Sequence, residues 1–166
     1  MAAAKRKPAT PAAVFASAVR AASHLNLKPG LKAIKKSEGA GQIVPANSKN
    51  VLGSVAVDDD CLKADPNGNR WDYVVGYQRD TEAFAYFVEV HAAQTSKVSE
   101  VEKKLDWLLL YLRGDAQKQL ASLPRAIHWV ASGDIDIPKH LPQYKRLNST
   151  LRKKGLRGPD KRLALR

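Results

Sequence analysis

A mixed α/β domain, ordered helix, three strands, helix, strand, is what this sequence predicts, and three observations carry the prediction. Residues 71–77 and 84–92 are aromatic and β-branched almost throughout, and the stretch between them, 78–82, is polar, which is the pattern of a hairpin. A helical stripe follows, with Val98, Val101, Leu105, Leu108 and Leu112 spaced three or four residues apart. A last apolar run at 126–132, closed by Gly133, reads as a fourth strand.

Taken in order, residues 1–11 combine Lys5, Arg6 and Lys7 with prolines and alanines and predict a loose basic tail. Val14, Ala18, Ala22 and Leu25 then mark one face of a first helix over 12–26, which Pro29 and Gly30 end. Residues 31–38 add a turn or two and gather Lys32, Lys35 and Lys36. The β-branched run 51–57 predicts a strand ending in an acidic turn, Asp58, Asp59 and Asp60, and residues 65–69 form a dense turn signal before the hairpin. Thr95 or Ser96 caps the second helix, which reaches about Arg113 and sets Glu100, Lys103, Lys104 and Asp106 mostly outside its buried face. A shorter helix over 115–123 is cut by Pro124. Beyond Pro138 the pattern loosens into a helix-like 143–154 and a basic terminus broken by glycine and proline. The expected organisation is a tail at 1–11, a domain at 12–138 and a basic extension at 139–166.

Charge divides the chain in the same way. The formal charge of +12 splits into +8 for residues 1–50, −5 for 51–138 and +9 for 139–166, an acidic centre between two basic arms. Such arms attract polyanions by counterion release, so nucleic acid is the expected partner. Lys35, Lys36, Lys145, Arg146, Arg152, Lys153 and Lys154 are the candidate contacts. The competing reading is a solvated, solubilising surface.

An apolar run such as 108–112 is far too short for a bilayer, so no membrane partner is expected. A single cysteine, Cys61, excludes an internal disulfide, and four scattered histidines offer no zinc spacing. A reducing, cytoplasmic setting fits. The alanine-rich, basic start also mimics a transit peptide, but Arg20 interrupts its apolar stretch and argues against secretion.

The chemistry concentrates in the hairpin. Strand alternation puts Phe87, Glu89 and His91 on one face and Tyr86, Val88 and Val90 on the other, so Glu89 is embedded in apolar bulk. A carboxylate so placed needs a partner or a shifted pKa, and a metal ion is one such partner. Asp72, near the start of the preceding strand, supplies a second carboxylate. The alternatives are an ordinary polar pair of Glu89 and His91, bonded to a lysine of the flanking helix, and an Asp72 that caps nearby backbone. His128 and the three tryptophans read as core.

Asp72 in the second strand, then Glu89-Val90-His91 seventeen residues later in the third, followed by a helix and a fourth strand, resembles the PD-(D/E)XK nuclease superfamily with its restriction-endonuclease-like core. The resemblance covers about residues 12–132. It implies an Asp followed by an acid-x-Lys triplet, with histidine here in place of the lysine that helps to position and activate the attacking water. It implies Mg²⁺ (or Mn²⁺) held by Asp72 and Glu89, and phosphodiester hydrolysis in DNA or RNA. Asp72, Glu89, His91 and Lys97 are then the catalytic candidates, with Lys103 and Lys104 as further helix lysines that would replace the missing one. Glu38 or one of Asp58, Asp59 and Asp60 would supply a further acid. Many nucleases of this kind are homodimers. The alternative function is a non-catalytic nucleic-acid-binding or interaction module on a degenerate nuclease fold.

Overall fold

The computed structural model of the chain describes residues 8–166, so residues 1–7 of the expected tail lie outside the described residues. Thr10 caps the first helix, α1 (Pro11–Ala21), its hydroxyl oxygen accepting the Ala13 N–H at 3.2 Å, and Pro11 occupies a position whose N–H would be unpaired anyway. The buried stripe is Phe15, Ala18, Val19 and Ala22, and Val14, expected on that face, is exposed. The helix stops at Ala21, short of the expected residue 26, and His24 takes a left-handed φ of 74° in the turn that follows.

The remaining elements follow in chain order. They are β1 (Ile43–Pro45), β2 (Val51–Ala56), α2 (Val57–Cys61), β3 (Tyr73–Arg79), β4 (Glu82–Gln94), α3 (Val98–Tyr111), α4 (Lys118–Ser122), β5 (Arg125–Asp136), α5 (Pro142–Arg146), β6 (Leu156–Asp160) and β7 (Leu163–Leu165). Five strands form one mixed sheet in the order β2-β3-β4-β5-β6. β2–β3 and β3–β4 pair antiparallel, and β5 and β6 add on in parallel beyond β4. Parallel neighbours need a crossover, and α3 with α4 carries the chain from β4 back to the start of β5. The predicted order is therefore present, in a mixed α/β domain.

Apolar side chains alternate along β3 and β4 and so feed two cores. Val74, Ala85 and Phe87 face one core with Phe15 and Val19 of α1, Leu105 and Leu108 of α3, Leu120 of α4, and Leu147 and Leu151 just beyond α5. Tyr73, Val75, Tyr77, Tyr86 and Val88 face the other, under Ala33, Ile34, Ile43, Leu163 and Leu165. The helices thus cover one face of the sheet. The other is covered by the 31–45 segment and by β1, which pairs in parallel with β7.

Two parts of the sequence form more structure than expected. Asp58, Asp59 and Asp60 are the first turn of the short helix α2 rather than a plain acidic turn, a position where the helix dipole favours negative charge. Residues 139–166, set apart by their charge, contribute α5, β6 and β7, and Leu147, Leu151, Leu156 and Leu165 from this stretch are buried. β6 tolerates Pro159 because it is an edge strand, where a missing N–H breaks no ladder on its outer side. Among the described residues no helix is long and apolar enough to cross a membrane.

Candidate active site

Asp72 is the residue immediately before β3, and the register that pairs Tyr73 with Val88 sets it across from Glu89. The two acids fasten the strands to each other. The Asp72 N–H donates to Glu89 Oε2 at 3.2 Å, and the Val90 N–H donates to Asp72 Oδ2 at 3.0 Å. Both side chains point to the helical face. Glu89 is wholly buried, and the Asp72 side chain is 15% exposed.

The third member is Lys104 of α3. Its Nζ lies 2.7 Å from Asp72 Oδ1 and is in direct contact with Glu89 Oε1. The contact with Glu89 is an ion pair, and apart from Lys104 and the more distant His91 ring this buried oxygen has no hydrogen-bond partner among the described residues. Helical spacing alone predicts Lys104 mostly outside the buried face. It instead lies on the flank of the stripe, three residues after Val101 and four before Leu108, both fully buried, and its long stem carries the ammonium under the sheet.

Burial, and then the charge of Asp72, push the Glu89 carboxyl well above the ordinary glutamate range, with Lys104 pulling the other way. Burial opposes the charge on Lys104, but Glu89 and Asp72 together outweigh it and raise the pKa of the amine. Lys104 is therefore an ammonium at neutral pH.

His91 and Lys97 sit beside this triad, in a second chain of contacts. His91 Nδ1 is 3.6 Å from Glu89 Oε1, its Nε2 is 3.0 Å from Glu100 Oε2, and Lys97 Nζ is 2.8 Å from Glu100 Oε1. Glu100, partnered by Lys97 and then His91, is held below its ordinary pKa. Lys97 thus meets Glu100 rather than Asp72 or Glu89, and Lys103 is exposed.

On its other side Asp72 borders a small cleft shared with Lys35, Glu38, Asp58, Asp59 and Tyr73. Tyr73 Oη donates to Glu38 Oε2 at 2.5 Å, and burial, followed by that hydrogen bond, raises the tyrosine pKa. Lys35 contacts Asp59 at 3.2 Å and Glu38 at 3.7 Å, and Arg70 contacts Asp58 at 2.9 Å. Asp60 turns away and accepts the Asn26 N–H at 2.8 Å. Glu38, Asp58 and Asp59 therefore share the cleft with Asp72, and Asp60 does not. Among the described residues no group of three or more His, Cys, Asp or Glu is gathered as a metal-ligand set.

The basic candidates behave unequally. Arg146 and Lys154 reach back to α3, with Arg146 Nε 2.8 Å from Glu102 and Lys154 Nζ 2.7 Å from Asp106. Arg152 is exposed and donates to the Leu156 carbonyl at 3.3 Å. Lys36, Lys145 and Lys153 are exposed and form no ion pair among the described residues.

No protein-family model matches this chain, and no curated protein or solved structure is significantly similar to it.

Proposed function

We propose that this protein is a metal-dependent nuclease on a restriction-endonuclease-like core, hydrolysing phosphodiester bonds of DNA or RNA. One observation carries the reading: Asp72, Glu89 and Lys104 meet at one point, two carboxylates and an ammonium from two adjacent strands and the following helix. The α1-β2-β3-β4-α3-β5 order, with β5 parallel to β4, supports the fold assignment.

Asp72 and Glu89 would hold Mg²⁺ or Mn²⁺. Two hard carboxylates fit an ion that keeps several waters and needs no full protein cage, and the buried Glu89 Oε1, in contact with Lys104, has no hydrogen-bond partner among the described residues. When bound, the ion supplies charge at the phosphate and an activated water. Lys104, an ammonium at neutral pH, would take the place of the triplet lysine, donating hydrogen bonds to the attacking water or the phosphate oxygens and stabilising negative charge as it develops. His91 lies between Glu89 and Glu100 and links the buried acid to the surface. The exposed Lys145 and Lys153, and the Lys36 side chain, hold the strand by its phosphates.

A cleavage assay with labelled DNA and RNA, with Mn²⁺ or Mg²⁺ and with chelator, tests this. Cleavage that needs the ion and disappears in Asp72→Asn, Glu89→Gln and Lys104→Met, each confirmed folded by circular dichroism, is the expected result. Nucleic-acid binding with no cleavage under any condition replaces it with the non-catalytic module, which the charge balance of the triad also suits, since Lys104 already neutralises much of the acid pair.

A further inference from the structure

We propose that a concave, arginine-lined cleft on the sheet face opposite Glu89 binds the phosphate group of a nucleotide, free or within a strand. Four adjacent strands build it. Arg79 comes from β3, Phe84 and Tyr86 from β4, Arg125 and His128 from β5, and Arg157 from β6. The strand register sets Arg157 opposite His128 on this face, whereas Arg125, paired with Ala85 of the helical face, borders the cleft only from the end of β5. Tyr86 belongs to the core beneath β7, and Glu89, on the helical face, is three residues further along β4, or about 10 Å. The cleft is therefore separate from the Asp72–Glu89–Lys104 site and does not depend on whether that site hydrolyses anything.

The guanidinium groups have no anionic partner. Arg79, Arg125 and Arg157 form no ion pair among the described residues, whereas Arg70, Lys104 and Lys154 each do. One of the three is already held over the cleft, and Arg125 is tied to α4 on the helical side. The Arg79 guanidinium carbon lies 4.3 Å from the Phe84 ring centroid, and Arg125 Nη1 donates to the Ala121 carbonyl at 2.5 Å. Cations fixed before the ligand arrives lose less freedom on binding it. The planar guanidinium is also the side chain best matched to two phosphate oxygens at once.

His128 adds a polar atom with nothing to bond. Its Nδ1 is buried and has no hydrogen-bond partner, although the residue lines the cleft. Burial first, and then the charge of Arg157, lower its pKa, while Asp160 opposes them. The other carboxylate close in register is Glu82, opposite Arg79, and it forms no ion pair with that arginine among the described residues. The Arg166 main-chain oxygen, at the back of the cleft, accepts the Tyr86 hydroxyl at 2.8 Å.

The test uses the full chain with chelator present, so that the acid site binds no metal. Adenosine 5′-monophosphate and adenosine are titrated by calorimetry and by following the ring protons of His128 and His91 in NMR spectra. Expected are binding of the monophosphate but not of adenosine, movement of the His128 signals with those of His91 unchanged, and a loss of roughly tenfold or more in affinity for Arg79→Gln and for Arg157→Gln. These exposed side chains can be replaced without disturbing the fold, and an unchanged melting curve verifies it. Oligonucleotides with a 5′-phosphate or a 5′-hydroxyl identify the source. Preference for the phosphorylated strand means a strand end, equal binding means internal diesters, and binding of the mononucleotide alone means a free nucleotide, each with the same loss in Arg157→Gln. Equal affinity for adenosine, binding unaffected by both substitutions, no binding at all, or a response of His91 in place of His128 overturns the proposal.

Discussion

Asp72 and Glu89 each bond the other's strand: the Asp72 N–H donates to Glu89 Oε2 at 3.2 Å, and the N–H next to Glu89, that of Val90, donates to Asp72 Oδ2 at 3.0 Å. The acid pair is therefore part of the hairpin's own hydrogen bonding as well as a cluster of charge. Lys104 is what allows two carboxylates to share that space.

Removing the ammonium exposes this dependence. Lys104→Met leaves Glu89 and Asp72 side by side without their shared cation, and the loss of one partner from a buried ion pair costs about 3–5 kcal/mol. Urea unfolding at neutral pH should show a loss in that range. A loss below about 1 kcal/mol would mean that water already screens the pair.

The raised pKa of Glu89 gives stability a definite slope with pH. The folded protein keeps the Glu89 proton above the ordinary value of 4.5, where the unfolded chain has released it. The stability due to this group is then full below 4.5 and falls as pH rises toward the raised value. Lys104 adds no slope in this range, since its contribution is full below 10.5 and is lost only as pH passes its raised value. As pH rises above 4.5 the wild type should lose stability relative to Glu89→Gln. Parallel pH profiles for the two proteins would rule this out.

Gly76 on β3 has no room for a side chain. A Cβ there would fall 2.4 Å from Phe15 Cδ1, and Phe15 is fully buried in the core beneath α1. Gly76→Ala should therefore destabilise by about 1–3 kcal/mol through overpacking. Gly76→Ala combined with Phe15→Leu should recover part of that loss, and no recovery would place the strain elsewhere.

The exposed lysines of the C-terminal third should act on binding alone. Lys145→Ala and Lys153→Ala leave the melting curve unchanged and reduce the dependence of nucleic-acid affinity on salt, by up to about 0.9 in the log–log slope for each phosphate no longer neutralised. Arg146→Ala and Lys154→Ala also cut ties to Glu102 and Asp106, so they should move stability as well. Fluorescence anisotropy across a salt series separates the two pairs. Identical slopes in all four variants would show that these residues do not meet phosphate.

Much of the domain is readable from the sequence because apolar period and turn chemistry agree in its centre. Val98, Val101, Leu105, Leu108 and Leu112 are all buried, and the hairpin turns within the polar stretch 78–82. Structure departs from expectation where a local signal has two outcomes. Three aspartates suit a solvated turn, yet they also suit the first turn of a helix such as α2. Leu156-Arg157-Gly158-Pro159-Asp160 looks like a breaker and forms an edge strand, because only one of its sides must pair. In the site, Asp72 and Glu89 stand out as acids in an apolar run. The choice of Lys104 over Lys97 or Lys103 depends on how α3 crosses the sheet, which no spacing within the helix reveals. The arginine cleft leaves still less trace, since its residues come from four strands and share no local motif.

The small β1–β7 ladder joins Ile43 to Leu163, two positions that are distant along the chain. Its bonds become favourable only after nearly the whole intervening chain is in place, since closing so long a loop costs entropy before any bond can form. Closure of this ladder is thus a late event in folding, and amide protons in β7 should be the reporters of its completion.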